Sequence, residues 1–446
     1  MSETERLARF IIETNYDALP GAAIVAAKRA ILDCLGVMIA GSQEPAGQII
    51  SSFVKKLGGT PNSGVVASGF HTSAPSAALA NGTMGHALDY DDVGSDSSGH
   101  PSVAILPAIL ALGEELHVPG RLALTAFTLA VDIWGKLPLS GMNPRGLGFH
   151  PTAIYGTLGA AVAAAKLLGL NIEEVQMVLG LAASHAAGMG RNRGTMTKPY
   201  HAGNAARSGV MAAMLVRDGF TATPGLLEGR FSFCEAFAGG AACDLGKVTA
   251  KLGEPYYVVS PGLGVKKYPS CYITHRAIDA ILHLDEKHQI NPGDVASITA
   301  ETGSMATNIL TYTEPVNKLQ GKFSMQFCLA IALLECKVGL GQVTDEKVND
   351  PKVRELMKKI SLSPKPEPVA DEDVVTVRLK DSTEFSCGVD RARGHAEIPL
   401  TNDELIAKYR ECAIAALDKD KVERSLELIL DLEKVQKINQ LMDTIV

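Results

Sequence analysis

The sequence predicts a mainly α protein made of a large all-helical domain and a smaller α+β domain. Three observations carry this. Through the first 265 residues apolar side chains recur at the helical period; near 294–303 and 373–390 the period shortens to that of strands; beyond 398 the helical period returns. The division predicted is residues 1–265 with 398–446 for the large domain, and 266–397 for the small one.

Taken in order, "MSETERLARFIIETN" reads as a short amphipathic helix, since it is too polar for the apolar region of an export signal. The stretches 19–41, 101–116, 121–137, 151–169 and 173–188 follow as helices parted by Gly, Pro or Asn. Asn171 with Glu174 forms a capping-box start. In "RDGFTATPGLLEG", Gly219 ends one helix, and Thr223 with Pro224 is the expected start of another.

"YYVVSPGLGVKKYPS" and "DVASITAETG" read as strand-like. "DVVTVRLKDSTEFSCGVD" reads as a hairpin, with Val375, Val377 and Leu379 on one face of its first arm and Phe385, Cys387 and Val389 at the same spacing on its second. Helical patterns at 271–284 and 322–338 lie among these strands, and "SLSPKPEPVADED" reads as a Pro-rich linker. From 400 onward Leu426, Ile429, Leu430, Val435, Ile438, Leu441 and Ile445 form one long apolar stripe.

With 446 residues, 46% of them hydrophobic, the chain can bury a large interior, and 43 glycines with only 20% charged residues favour closely packed helices. A net charge of -7 argues against nucleic acid or an anionic membrane as partner. The uncharged runs at 103–113 and 153–165 are shorter than the roughly 18 to 20 residues of a membrane span. Eight scattered cysteines without a CxxC pair read as reduced thiols in a cytoplasmic protein.

Four polar stretches stand beside apolar helices. In "GHALDYDDVGSDSSGHPSVAILPA", Asp89, Asp91 and Asp92 lead through a Gly/Ser loop to His100; Pro101 suits a first helical position, so His100 falls near a helix start, where an organic carboxylate is favoured. His86, Asp89 and Asp91 could ligate a metal, but no His/Glu pair four residues apart completes a set, and none is expected. In "NPRGLGFHPTAIYG", His150 repeats the His-Pro start, and Tyr155 reads as a buried tyrosine with a bonded hydroxyl.

In "GMGRNRGTMTKPYHAGNAARSG", Lys198 precedes a proline and is expected in extended backbone, just before a helix that begins with His201 and Asn204. A cation beside the positive end of a helix, with Arg191 and Arg193 nearby in sequence, has reason to release its proton and serve as a base or carboxylate anchor. The GxGxxxG spacing of "GMGRNRG" after a helical pattern excludes a dinucleotide fingerprint. In "GVKKYPSCYITHRAIDAI", Lys266, Lys267, Tyr268 and His275 could close over a polyanion; Cys271 has no activating base in view and reads as inert.

These pieces, "AKRAILDCLGVMIAG", "NGTMGHALDYDD", "GHPSVAILPA", "GFHPTAIYGTLGAA", "TKPYHAGNAARSG", "KKYPSCYITH" and "KFSMQFCLAIAL", together resemble the MmgE/PrpD family over nearly the whole chain. The resemblance implies a homodimer with a cleft between two domains, acting without metal or organic cofactor on a small polycarboxylate. It implies Asp89, His100, His150 and Lys198 as catalytic residues. Arg191, Arg193, His201, Lys266, Lys267 and Tyr268 are the substrate-binding candidates, with Tyr312 of "LTYTEPVNK" a further match to a tyrosine near the cleft.

Family activities move a proton on carbon beside a carboxylate, which requires cations against the charge and bases on both sides. Two departures, "VGSDSSG" after the acidic cluster and Cys271 where a histidine can stand, weaken the decarboxylase reading, and the long Trp-containing loop of the dehydratases is absent. The leading expectation is therefore an epimerase of iminodisuccinate, with Lys198 opposed to His100 or His150. The alternatives are a lyase on 2-methylcitrate or cis-aconitate and, from another class, a non-catalytic binder of small anions.

Overall fold

The computed structural model describes residues 1–94, 99–365 and 372–446. Its helices are α1 (Glu3–Glu13), α2 (Gly21–Gly41), α3 (Pro45–Leu57), α4 (Ala74–Ala87), α5 (Ser102–Glu115), α6 (Gly120–Lys136), α7 (Pro151–Leu168), α8 (Ile172–His185), α9 (Thr197–Arg217), α10 (Phe233–Ala238) and α11 (Gly246–Thr249). There follow α12 (His275–His288), α13 (Met305–Ile309), α14 (Lys318–Gly321), α15 (Met325–Glu335), α16 (Asp345–Asn349), α17 (Pro351–Met357), α18 (Asn402–Ala413), α19 (Lys419–Leu430) and α20 (Asn439–Ile445). Two compact units result: residues 1–191, 197–265 and 401–446, and residues 192–196 with 266–400.

The larger unit is a helical assembly, but not purely so. β1 (Ser63–Val65) pairs with β2 (Phe70–Thr72), and β3 (Val93–Gly94) with β4 (Leu263–Gly264), both antiparallel. Its centre is α4, α5, α7 and α9, whose sequences are so rich in small residues that backbones meet directly. At the crossing of α4 and α9, a Cβ added to Gly203 would lie 2.2 Å from the Leu79 carbonyl oxygen, and one added to Gly82 would lie 2.7 Å from the Gly203 Cα. No side chain fits that gap, so glycine sets the closeness of the pair.

Helices at 120–140 and 151–168 have the length and hydropathy of membrane spans, yet 83% and 89% of their apolar windows are buried within the protein. They are core helices: the uncharged run at 153–165 lies within α7, which reaches 18 residues by taking in Lys166, the run at 103–113 lies in the 14-residue α5, and helix 120–140 carries Arg121, Asp132 and Lys136.

The smaller unit carries a four-stranded sheet in the order β6-β5-β7-β8, formed by β5 (Val295–Thr302), β6 (Ile360–Pro364), β7 (Asp373–Leu379) and β8 (Glu384–Val389). The predicted hairpin is β7-β8, with Val375 opposite Cys387 and Val377 opposite Phe385. α12 and α15 pack with this sheet around a core that includes Ile278, Ile281, Ile298, Phe327, Val375 and Val377.

Several expectations are corrected. No helix starts at Thr223: residues 224–229 form turns, with positive φ at Gly225 and Gly229 breaking the helical path. "YYVVSPGLGV" is a turn followed by the two residues of β4, because Pro261 and Gly262 interrupt the strand pattern. The Pro-rich linker begins as β6, parallel to β5, where Ser361 and Leu362 find backbone partners; residues 366–371 lie outside the described residues. The C-terminal stripe is split between α19 and α20, and Leu430 faces solvent at the end of α19. Cys234 and Cys243 are disulfide-bonded, their Cα atoms 5.9 Å apart, so the all-reduced reading fails for this pair; the other six are free thiols.

Candidate active site

The site is assembled in the larger unit where α4 ends and α5, α7 and α9 begin. His86 lies in the last turn of α4, His100 just ahead of α5, His150 at the cap of α7, and Lys198 and His201 in the first turns of α9. Helix starts expose unpaired N–H groups and the positive end of the macrodipole. Three of them here surround one acidic loop, a setting suited to an organic anion.

Two local expectations change. His100 stands one residue before the cap, because Pro101 is the cap and Ser102 the first helical residue. Lys198 is inside α9, not in an extended segment ahead of it: Pro199 sits in the first turn, where its missing N–H costs no helical hydrogen bond.

The loop that follows α4 distributes its acids. Asp89, at φ +53°, adopts the left-handed conformation and places Oδ1 3.1 Å from Lys198 Nζ. Asp91 is fully buried and meets His86 Nδ1 at 2.9 Å and His100 Nδ1 at 3.0 Å. His100 Nδ1 also lies 2.9 Å from the Asp92 carbonyl oxygen. A carboxylate and a carbonyl only accept, so both rings carry a proton on Nδ1. Asp92 accepts from the Ser102 hydroxyl and, at 3.3 Å, from the Ser102 N–H, tying the loop to α5. Residues 95–98, of sequence SDSS, lie outside the described residues.

His150 does not cap its helix. Its Nδ1 is 3.2 Å from His201 Nδ1, and its ring stacks on that of His86 with centroids 5.7 Å apart. His86 and His100 are closer, at 4.5 Å. The structure thus brings together Asp89, His100, His150, Lys198 and His201, residues up to 112 positions apart.

Burial and the nearby cations keep the rings of His86, His150 and His201 neutral. Burial first, then Lys198 and His100, lowers His86 to about 3 against the opposing pull of Asp91. Burial, Lys198 and the other imidazoles hold His150 well below the usual histidine range, and burial with Lys198 lowers His201 to about 4. Burial would raise Asp91, but the electrostatic pull and hydrogen bonds of the His86 and His100 rings carry its carboxyl well below the usual range. Burial, with Asp33 and Asp91 adding repulsion, pushes Asp92 up to about 8 against its bonds to Ser102.

His86, His100 and His150, or His86, Asp89, Asp91 and His100, offer one donor atom each within 4.8 Å of one another. The members of these groups come from helix ends distant in the chain, a proximity that local spacing does not show. The neutral His86 ring, backed by Asp91 through Nδ1, has the donor chemistry of a metal ligand.

The remaining candidates are placed as follows. Arg191 is exposed. In the smaller unit the Tyr312 hydroxyl donates to the Arg193 carbonyl at 2.9 Å. Lys266 and Tyr268 are buried, and the Tyr268 hydroxyl donates to Asp279. Lys267 is partly exposed, 3.9 Å from Asp279 and 5.3 Å from the Tyr268 ring centroid. Cys271 and His275 are buried. Tyr155 donates to the Met142 carbonyl at 3.0 Å, as a structural tyrosine would.

Sequence reasoning missed the sharing of Asp91 by two histidines, the Asp92–Ser102 tie, and a buried ion pair behind the loop, Asp33 with Lys408, 2.6 Å apart. The signal for the last was present: an acid inside the apolar run of α2 and a lysine on the apolar stripe of α18.

Residues 5–245 match the MmgE/PrpD N-terminal domain, and residues 268–434 match the MmgE/PrpD C-terminal domain. The chain is 29% identical to cis-aconitate decarboxylase of Mus musculus over 451 residues, covering 98% of this chain and 91% of that one. It is 29% identical over 452 residues to cis-aconitate decarboxylase of Homo sapiens, with 98% and 92% covered. The enzyme of that name from Aspergillus terreus is 25% identical over 470 residues, with 99% and 95% covered. These relatives are named as decarboxylases, so they lend the epimerase expectation no support.

Proposed function

Because the chain belongs to the MmgE/PrpD family, we propose that it is a lyase acting on a small polycarboxylate, with decarboxylation of cis-aconitate or a close analogue as its reaction. The observation that carries this reading is the buried Lys198–Asp89 pair facing a cluster of neutral imidazoles at converging helix starts. It supplies cationic charge for a substrate carboxylate and proton carriers for the carbon beside it.

The step balances without an outside reagent. The C–C bond to one carboxylate breaks and CO2 leaves; its electron pair becomes a new C=C, and the former alkene carbon beside a second carboxylate takes up a proton. Charge on that second carboxylate grows as the bond breaks, so a fixed ammonium and helix N–H groups stabilise the transition state more than the ground state. Lys198 binds the carboxylate, oriented by Asp89. The proton comes from His100 or His150; the His150 ring, held neutral by burial, takes one up when a polyanion enters. Asp91 fixes the tautomer of His86 and His100 and offsets the charge that then develops. A second copy of the chain is part of the proposal, following the family resemblance, and sedimentation equilibrium tests it.

Incubation in D2O with cis-aconitate, 2-methylcitrate and iminodisuccinate, followed by NMR with CO2 trapping, tests the reading. We expect CO2 and deuterium on a substrate carbon with cis-aconitate. A new alkene without CO2 from 2-methylcitrate moves the reading to a hydro-lyase, interconverting stereoisomers of iminodisuccinate to an epimerase. No change in any of the three overturns it.

A further inference from the structure

α18 carries a lysine on its buried stripe. Leu405, Lys408, Tyr409 and Cys412 recur at helical spacing and all are buried, so Lys408 stands where an apolar side chain would ordinarily pack. Its ammonium is 2.6 Å from Asp33 Oδ1, donates to the Tyr90 carbonyl oxygen at 2.9 Å, and lies 3.8 Å from the centroid of the Tyr90 ring. Asp33 projects from the middle of α2, in the run "AILDCLGVMIAG". Stripping water from both charges is costly, and well-packed apolar residues would often serve stability as well or better. The pair therefore calls for a reason other than stability.

The acidic loop provides it. Along residues 89–92 the partners alternate: Asp89 reaches Lys198, Tyr90 is held by Lys408, Asp91 reaches His86 and His100, and Asp92 reaches Ser102. Left-handed backbone at Asp89 ends the helical path of α4, so neither helix nor sheet defines the loop's course there. Holding the carbonyl and ring of Tyr90 fixes the residue between the two carboxylates that serve the site.

We propose that Lys408, anchored by Asp33, is a positioning residue that clamps Tyr90 and thereby aims Asp89 and Asp91. It touches neither substrate nor reacting atoms. The kinetic arm of its test rests on the lyase reading; the clamp itself does not.

Lys408→Met alone would bury an unpaired Asp33 and endanger folding, so the variant of choice is the neutral pair Asp33→Leu with Lys408→Met. The full-length protein is labelled with 15N-histidine and compared with wild type by NMR, beside steady-state kinetics and circular dichroism. In a folded double variant we expect the ring-nitrogen signals of His86 and His100 to shift while those of exposed His117 and His283 stay. We expect kcat to fall about 10- to 100-fold, the scale of a small misplacement, with KM within about threefold. Unchanged His86 and His100 signals in the folded double variant overturn the proposal, whatever the substrate proves to be. Shifted signals without turnover of any polycarboxylate support the clamp and count against the lyase reading instead. If the double variant does not fold, Lys408→Arg decides by the same signals: displaced His86 and His100 resonances support the clamp, and wild-type resonances overturn it.

Discussion

Lys198 Nζ and Asp89 Oδ1 stand 3.1 Å apart, both side chains nearly inaccessible to water, with Asp89 held in left-handed backbone. Lys198→Met should reduce turnover about 10²- to 10⁴-fold, the usual contribution of one positioned acid or base. It should also lower the melting temperature, because an ionised Asp89 left alone costs about 3–5 kcal/mol. Adding Asp89→Asn should recover stability but not turnover. Calorimetry and kinetics on the single and double variants check this; full turnover in Lys198→Met would remove the lysine from the chemistry.

The neutral histidines make stability depend on acid. His86 and His201 titrate at about 3 and about 4 in the fold and His150 well below its usual range, whereas unfolded histidine titrates near 6.5. Between about pH 6.5 and 4 the unfolded chain binds more protons, so stability falls as pH falls through that window. Asp91, lowered in the fold, adds to the loss below about pH 4. His201→Asn should flatten the slope of urea-unfolding free energy between pH 6.5 and 4.5; an unaltered slope would contradict a neutral buried ring.

Asp92 acts in the opposite sense. Its carboxyl titrates at about 8 in the fold and near 3.9 when unfolded, so the folded state binds more protons between those values and stability is lost as pH rises across them. Asp92→Asn keeps an acceptor for Ser102 and cannot ionise. Its stability relative to wild type should improve steadily from pH 4 to pH 8, as measured by urea unfolding. A constant difference would show that Asp92 is ionised throughout.

Gly203→Ala tests the crossing that brings the ends of α4 and α9 together. The added methyl would meet the Leu79 carbonyl oxygen at 2.2 Å, a contact only backbone movement can relieve. A loss of about 1–3 kcal/mol or more is expected, with reduced turnover as His86 and Lys198 separate. Normal stability and activity would mean the crossing is more pliable than drawn.

The Cys234–Cys243 bridge closes a short loop, with a sequence separation of 9. Replacing both cysteines by serine should cost about 2–3 kcal/mol. Peptide mapping without reductant should recover the two residues in one linked fragment, and separate fragments would exclude the bond.

Much of the secondary structure was legible because its signals are local. The capping box at Asn171 and Glu174, the His-Pro start of α7 and the β7-β8 hairpin each depend on residues a few positions apart. The Thr223 helix, the 256–265 strand and the linker at 361–364 were misread for a matching reason: turn glycines and a distant strand partner overrode local preference. In the site, the motifs pointed to Asp89, His100, His150 and Lys198 one at a time. Nothing in their spacing showed that Asp91 serves two rings, that His150 faces His201, or that Lys408 lies behind Tyr90.

The sequence by itself determined the helical and strand periods, the helix starts that place histidines and a lysine at dipole ends, and membership of a family of two matched domains. Only the tertiary structure decided which charges neutralise which, and hence which groups are neutral. Period and capping are properties of neighbouring residues, whereas a pKa reflects burial and the field of every nearby charge, and those are set by helices that are distant in the chain and packed closely through glycine.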